Sequence, residues 1–207
     1  KRPNIILCEG NLDIVTLHQA GFDNAVASMG TALTVEQTRL LSRFTKELVL
    51  CYDNDNAGKI ATERALQILN GSEFSVKVLQ LPRRLVDGEY IKQDADDFIK
   101  FQGPDAFERL LNGSENGVEF RMAQIAGKYD LKDDEARIAY CGEVSELLAS
   151  LPGAVEREIY TGRAAEAAGI TAEAMKLEVQ RSFKRRIARE KRAELRKDLN
   201  PAMALQP

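Results

Sequence analysis

Residues 51–58 read CYDNDNAG, and their reading decides the fold. Just upstream, Glu47-Leu48-Val49-Leu50 is an apolar run with the length and composition of a buried strand. Just downstream, from Gly58 to Leu69, apolar residues recur at helical spacing, and Asn70-Gly71 closes the run. A buried strand thus ends in two carboxylates two residues apart, Asp53 and Asp55, and the chain then enters a helix. Carboxylates at close range repel, so something cationic belongs beside them.

Working outward, the same grammar repeats. Residues 4–9 (NIILCE) read as a strand, 11–20 as a helix stopped by Gly21, and 24–28 as a short strand. Thr34-Val35-Glu36-Gln37 has the form of a capping box, which predicts a helix from 35 to about 44. Residues 47–52 are the next strand, the helix from Gly58 follows, and 74–81 form a strand that Pro82 ends. Strands alternating with helices over the first 80 or so residues predict an α/β fold, a parallel sheet flanked by helices. Residues 83–97 show no clear periodicity, and a short helix is expected near 97–102. Beyond about 115 strand patterns stop, and helices are expected at 117–129, 132–150, 153–168 and 171–197. The expected organisation is an α/β part over 1–115, an all-helical subdomain over 116–200 and a linker tail over 201–207.

The bulk numbers set limits. The chain has 207 residues, 44% of them hydrophobic and 29% charged, with a formal net charge of -3, so it lacks the global basic footprint of many nucleic-acid binders. No apolar stretch approaches membrane-spanning length and no signal peptide is visible. Cys8, Cys51 and Cys141 form neither a disulfide framework nor a CxxC pair, and Cys8 and Cys51 read as small buried hydrophobes in a reducing compartment. His18 is the single histidine, so a zinc site is not expected. Without a long apolar heptad, the chain is expected to be a monomer. It starts at Lys1 rather than Met and enters a strand almost at once, which reads as a piece of something longer.

In open α/β sheets, ligands collect at the carboxyl ends of strands. Glu9 stands after the first predicted strand, Asp53 and Asp55 after the third, and Asp94 and Asp96 in a loop after the fourth. Five carboxylates around one crevice make a hard-oxygen site suited to Mg²⁺ or Mn²⁺, with water and phosphate oxygens completing the coordination. Blander readings exist. The stretch resembles a calcium loop only superficially, because Ala57 and Arg64 stand where that loop needs acids. A DxD pair is also common as a turn plus helix cap. That reading leaves Glu9-Gly10 at an equivalent strand end unexplained. For Asp94-Ala95-Asp96-Asp97 the plain alternative is capping of the next helix, with Asp97 at or next to the cap.

Glu9-Gly10-x-x-Asp13 followed by Asp53-x-Asp55-x-Ala57-Gly58 resembles the Toprim domain, found in bacterial primases, type IA and type II topoisomerases, nucleases and recombination proteins. The intervening CEGNLDIVTLHQAGFDNAVASMGTALTVEQ narrows the choice: it looks like bacterial replicative primase of the DnaG type, with its EGYMDV, Ser-Leu-Gly-Thr-Ala and YDGDxAG stretches. The likeness is dense over 4–103 and diffuse over the helical remainder. Asn11, Met29, Asn54, Gln93 and Ala95 depart from the family pattern. The resemblance implies a Toprim-type sheet, catalytic roles for Glu9, Asp53 and Asp55, and Mg²⁺ or Mn²⁺ held by Glu9, Asp53, Asp55, Asp94 and Asp96.

It further implies template-directed synthesis of short RNA primers from ribonucleotides on single-stranded DNA, in the bacterial cytoplasm at the replication fork. Contact with the replicative helicase would run through a C-terminal domain outside this chain. The zinc module and the basic subdomain that precede the Toprim part in this family also lie outside it, so the fragment alone is expected to bind metal without making primers. Gly30, Thr31, Gly58 and Lys59 are candidate phosphate contacts, the glycines through close backbone approach and the helix N-terminus. The basic run Lys184, Arg185, Arg186 and Arg189 reads either as a contact to template phosphates or as a solvated helix end favoured by the helix dipole. The rivals are another Toprim enzyme, nuclease or topoisomerase, and a non-catalytic binding module.

Overall fold

A computed structural model of the chain describes residues 2–29, 32–86 and 88–199, with 194–199 described by their backbone alone. Two compact units follow one another, Lys1–Phe120 and Arg121–Pro207.

The first unit is built on strands β1 (Asn4–Cys8), β2 (Ala25–Ala27), β3 (Glu47–Cys51) and β4 (Ser75–Val78), with helices α1 (Asn11–Gln19), α2 (Val35–Leu41) and α3 (Asn56–Leu69) as the crossovers. After β4 come a two-stranded hairpin, β5 (Arg84–Val86) and β6 (Glu89–Ile91), then α4 (Ala95–Gln102), α5 (Pro104–Asn112), β7 (Glu115–Asn116) and α6 (Gly117–Ala126). The five-stranded sheet has the order β2-β1-β3-β4-β7. Its first four strands are parallel, as the sequence predicts. The short edge strand β7 runs antiparallel to β4, so the sheet is mixed rather than wholly parallel.

Alternation along the strands explains the layering. Ile6 and Cys8 of β1, with Val49 and Cys51 of β3, face one side, where Leu17, Phe22, Phe98 and Phe107 cover them. Leu7, Leu48 and Leu50 face the other side, against Leu66 and Leu69 of α3 and Phe120 of α6. A sheet buried on both faces needs continuous apolar strands, which is why 5–8 and 48–51 carry no polar residue. Cys8 and Cys51 are register partners on β1 and β3, and both are free, buried thiols. α2 opens with the expected capping box: Thr34 Oγ1 accepts from the Gln37 N–H at 3.2 Å, and Gln37 Oε1 accepts from the Thr34 N–H at 2.9 Å.

The second unit holds α7 (Asp134–Ser150), α8 (Ala154–Ala168) and α9 (Ala172–Leu199). Tyr140, Val144 and Leu148 of α7, Ala164 of α8, and Met175 and Val179 of α9 are buried. Gly169 ends α8 in the left-handed conformation, with φ 64°, which a side chain would disfavour.

Candidate metal centre

The sheet brings Glu9 and Asp53 together. β1 and β3 are adjacent, Cys8 pairs with Cys51, and the chain leaves both strands toward the same edge. Burial raises the Glu9 carboxyl above its ordinary range, and the neighbouring Asp53 and Asp55 charges push the same way, against a stabilising hydrogen bond from the Asp53 backbone. Glu9 Oε1 is buried and has no hydrogen-bond partner. A charged oxygen in that position is costly unless a cation completes it.

Asp55 has a different setting. It is the N-cap of α3, and its Oδ1 accepts from the Gly58 N–H at 2.9 Å. That bond and Lys92 beside it hold the Asp55 carboxyl below the usual range. Gly58 is required by space: a Cβ there would lie 2.0 Å from the Asp53 carbonyl oxygen. The glycine lets the helix start against the backbone of the first acid, and so sets the spacing of the pair. Its N–H is taken by Asp55, so its contribution at the site is close packing rather than a free donor. Asn54, where the resemblance favours glycine, donates from Nδ2 to the Leu81 carbonyl at 3.0 Å.

The cation that the pair calls for is Lys92. Its Nζ lies 3.0 Å from Asp55 Oδ2 and 3.4 Å from Asp53 Oδ2, and the two acids raise its pKa. Gln93, an intruder in the family pattern, is buried and donates from Nε2 to the Pro82 carbonyl at 2.7 Å.

Asp94 arrives from a helix cap rather than a strand end. It is the N-cap of α4 and accepts from the Asp97 N–H at 2.7 Å, so the cap is Asp94 and not Asp97. Carboxylate oxygens of Asp94, Asp96 and Asp97 come within 4.8 Å of one another, the one acidic triad of this kind among the described residues. Asp96 is otherwise engaged: Thr16 donates to one oxygen, and Lys100 Nζ lies 2.5 Å from the other, which lowers its pKa.

Asp13 joins the two acid groups, and the sequence reading gave it no role. It is buried, and its oxygens accept from the Gly10 N–H and the Asp96 N–H, each at 3.2 Å. Burial raises its pKa while these two donors pull it down, and it feels the charges of Asp94 and Asp53. The signal was its place in Glu9-Gly10-x-x-Asp13, where position 13 caps the first turn of α1.

Lys59 lies half-buried in the first turn of α3. A cleft of about 180 Å³ opens beside Glu9, lined by Ser28, Tyr52, Ala57 and Arg64 among others. Gly30 and Thr31 lie outside the described residues. On α9, Lys184, Arg185 and Arg189 are exposed, whereas Arg186 pairs with Glu190 at 2.8 Å and stacks near the Phe183 ring.

Residues 6–99 match the Toprim-like family, and residues 118–173 match the DnaB-helicase binding domain of primase. The DNA primase of Clostridium acetobutylicum is 36% identical over 171 residues, covering 83% of this chain and 27% of that protein. The DNA primase of Geobacillus stearothermophilus is 32% identical over 186 residues, covering 90% and 30% respectively. The crystal structure of a DNA primase domain from Pseudomonas aeruginosa superposes with a TM-score of 0.69 at 28% identity, over 86% of this chain and 55% of that one. The DnaG primase catalytic domain bound to ssDNA gives 0.67 at 28% identity, over 84% and 54%. The chain belongs to the bacterial primases of the DnaG type. It spans roughly a quarter of the length of the curated primases it matches.

In this DnaG-type chain the Toprim match runs from β1 into α4, and so contains Glu9, Asp13, Asp53, Asp55, Asp94, Asp96 and Asp97. The helicase-binding match falls on α6, α7 and α8, whereas the sequence reading put helicase contact outside this chain. Among the rivals, a topoisomerase would need a reactive tyrosine. A type IA enzyme carries that tyrosine in a further domain, and Tyr52, which adjoins the acidic pair here, is a buried residue whose hydroxyl is pushed up to about 12 by that burial.

Proposed function

We propose that this chain is the metal-binding Toprim part, with the helical part that follows, of a DNA primase making short RNA primers on a single-stranded DNA template. The observation that carries the reading is the meeting of Glu9 and Asp53 at adjacent strand ends, with Glu9 Oε1 buried and unpartnered. Mg²⁺ or Mn²⁺ would be held by Glu9, Asp53 and Asp55, with Asp94 from the α4 cap. Asp96 is the weakest member of the set because Lys100 and Thr16 already engage it. Once bound, the ion would neutralise nucleotide phosphates and the charge that develops as the 3′-hydroxyl attacks the α-phosphate.

The chain's own residues supply position. Gly58 fixes Asp55 against Asp53, Asp13 ties the α4 cap to the start of α1, Arg64 offers charge to phosphates in the cleft, and Lys59, in a separate recess with Asp53 and Asn54, is a further candidate phosphate contact. Ribonucleotides would approach from that side. The partners are the template strand, touched by Lys184, Arg185 and Arg189, and the replicative helicase, for which α6–α8 carry the family likeness. The setting is the bacterial cytoplasm at the replication fork, with the chain monomeric.

The test is the double substitution Asp53→Asn/Asp55→Asn in the full-length primase. Primer synthesis is expected to fall by about a hundredfold or more, the scale of losing electrostatic stabilisation of the reacting centre, with single-stranded DNA affinity nearly unchanged. Mn²⁺ titration of the same variant is expected to show no binding. Undiminished Mn²⁺ binding would support the inert-module rival, and Mg²⁺-dependent plasmid nicking without nucleotides would support the nuclease.

A further inference from the structure

Lys92 is the best-built cation near the site, and its place is set by residues that the family pattern does not ask for. It stands between β6 and the α4 cap. Gln93, 2% exposed, anchors the next position to the Pro82 carbonyl, and Asn54 anchors the adjoining Leu81 carbonyl. Both departures therefore pin the same segment, from Leu81 and Pro82 to Gln93, from which Lys92 reaches back. Its ammonium lies within 3.4 Å of Asp53 Oδ2 and Asp55 Oδ2, so an ion bound between those same two oxygens would meet it. The side chain itself is 58% exposed, and an ammonium paired with carboxylates at that exposure is only weakly held, because water screens the attraction. It has a route to solvent when a doubly charged ion competes.

We propose that Lys92 is a resident counter-cation of the Asp53–Asp55 pair, which a divalent metal must displace in order to bind. The idea rests on the metal reading of Glu9, Asp53 and Asp55. In the metal-free protein Lys92 relieves the repulsion between the two acids, so the pair stays in place before the ion arrives. Each metal-binding event then carries the cost of breaking two ion pairs, and returns a free ammonium to the edge of the site. The device sets metal affinity lower than the acids alone would give.

The experiment compares Mn²⁺ binding to the 207-residue chain in three forms: native, Lys92→Met and Lys92→Arg. Lys92→Met is expected to bind Mn²⁺ about five- to tenfold more tightly, a change of about one charge interaction near the surface. Lys92→Arg is expected to stay close to the native affinity. A second readout uses the native protein alone: acetylation of lysines followed by mass spectrometry, with and without Mg²⁺. Labelling of Lys92 is expected to rise severalfold with Mg²⁺, while Lys46, paired with Glu73 elsewhere on the surface, stays constant. Equal or weaker Mn²⁺ binding by Lys92→Met overturns the proposal, and so does Lys92 labelling that ignores saturating Mg²⁺. Absence of Mn²⁺ binding in native and Lys92→Met alike overturns the metal reading together with it.

Discussion

At the scale of the residue, the site trades stability for readiness. Glu9 is held with a buried, unpartnered oxygen and two acids nearby, an arrangement that disfavours its charged form. Its raised pKa means that the native state binds this proton more tightly than the unfolded chain does. Stability attached to Glu9 is therefore greatest at acid pH and is lost as pH rises through the raised value. Glu9→Gln removes that penalty, so the metal-free variant is expected to melt about 2–4 °C above the native chain near neutral pH. The gap should close as pH falls toward the ordinary glutamate range, and Mn²⁺ binding should be lost. Thermal melts at two pH values, each with and without Mn²⁺, read both effects; a variant less stable at neutral pH would mean that Glu9 is not strained. The spacing of the two acids in the opening stretch left a turn, a helix cap and a cation site open, and it was Glu9 after the neighbouring strand that favoured the last. What the sequence could not show is that Asp55 spends one oxygen on α3, or that the pair's cation comes from 37 residues further on. Such contacts depend on packing between distant segments, which no local pattern encodes.

At the scale of the element, the α4 cap is where the site can be loosened without touching the Glu9–Asp53 pair. α1 and α4 are joined by Asp13, whose two oxygens take the Gly10 and Asp96 N–H groups, and by Thr16 donating to Asp96. Asp13→Ala strands both donors in a half-buried place, so a loss of about 1–3 kcal/mol is expected in urea unfolding. Amide exchange at Gly10 and Asp96 should speed up more than exchange in β3. Uniform acceleration would place the effect in global stability instead. β1 and β3 were legible as uninterrupted apolar runs of strand length, and α1 and α3 as apolar residues recurring at helical spacing. The hairpin β5–β6 was not: Leu85, Tyr90 and Ile91 are exposed, so no buried face imposes an alternating pattern. α5 did leave a trace in Pro104 at its start and in Phe107 and Leu111 one turn apart. Both are buried, Phe107 with its ring edge against Phe22 at 4.8 Å between centroids.

At the scale of the whole molecule, the question is where the sheet unit ends. The loss of strand patterns in the sequence puts a boundary at 115, because β7 is only two residues long and antiparallel pairing that short has no signature. Packing continues further. Phe120 is 3% exposed in the same cluster as Leu48 and Leu66, and a Cβ on Gly117 would lie 2.7 Å from Leu66 Cδ2, so the start of α6 fits tightly over α3. We propose that the metal-binding unit is complete only with that turn. Removal of a buried phenylalanine costs about 3–5 kcal/mol, a large share of the 5–15 kcal/mol typical of a small domain. A fragment of residues 1–126 is therefore expected to unfold cooperatively and to bind Mn²⁺ within about threefold of the 207-residue chain. A fragment of residues 1–115 is expected to melt at least 10 °C lower, on the order of the 4–8 °C per kcal/mol found for domains of this size, and to lose α3 protection in hydrogen exchange first. Circular dichroism melts of the two fragments decide the matter: equal midpoints would place the end of the unit at 115 and make Phe120 dispensable to it.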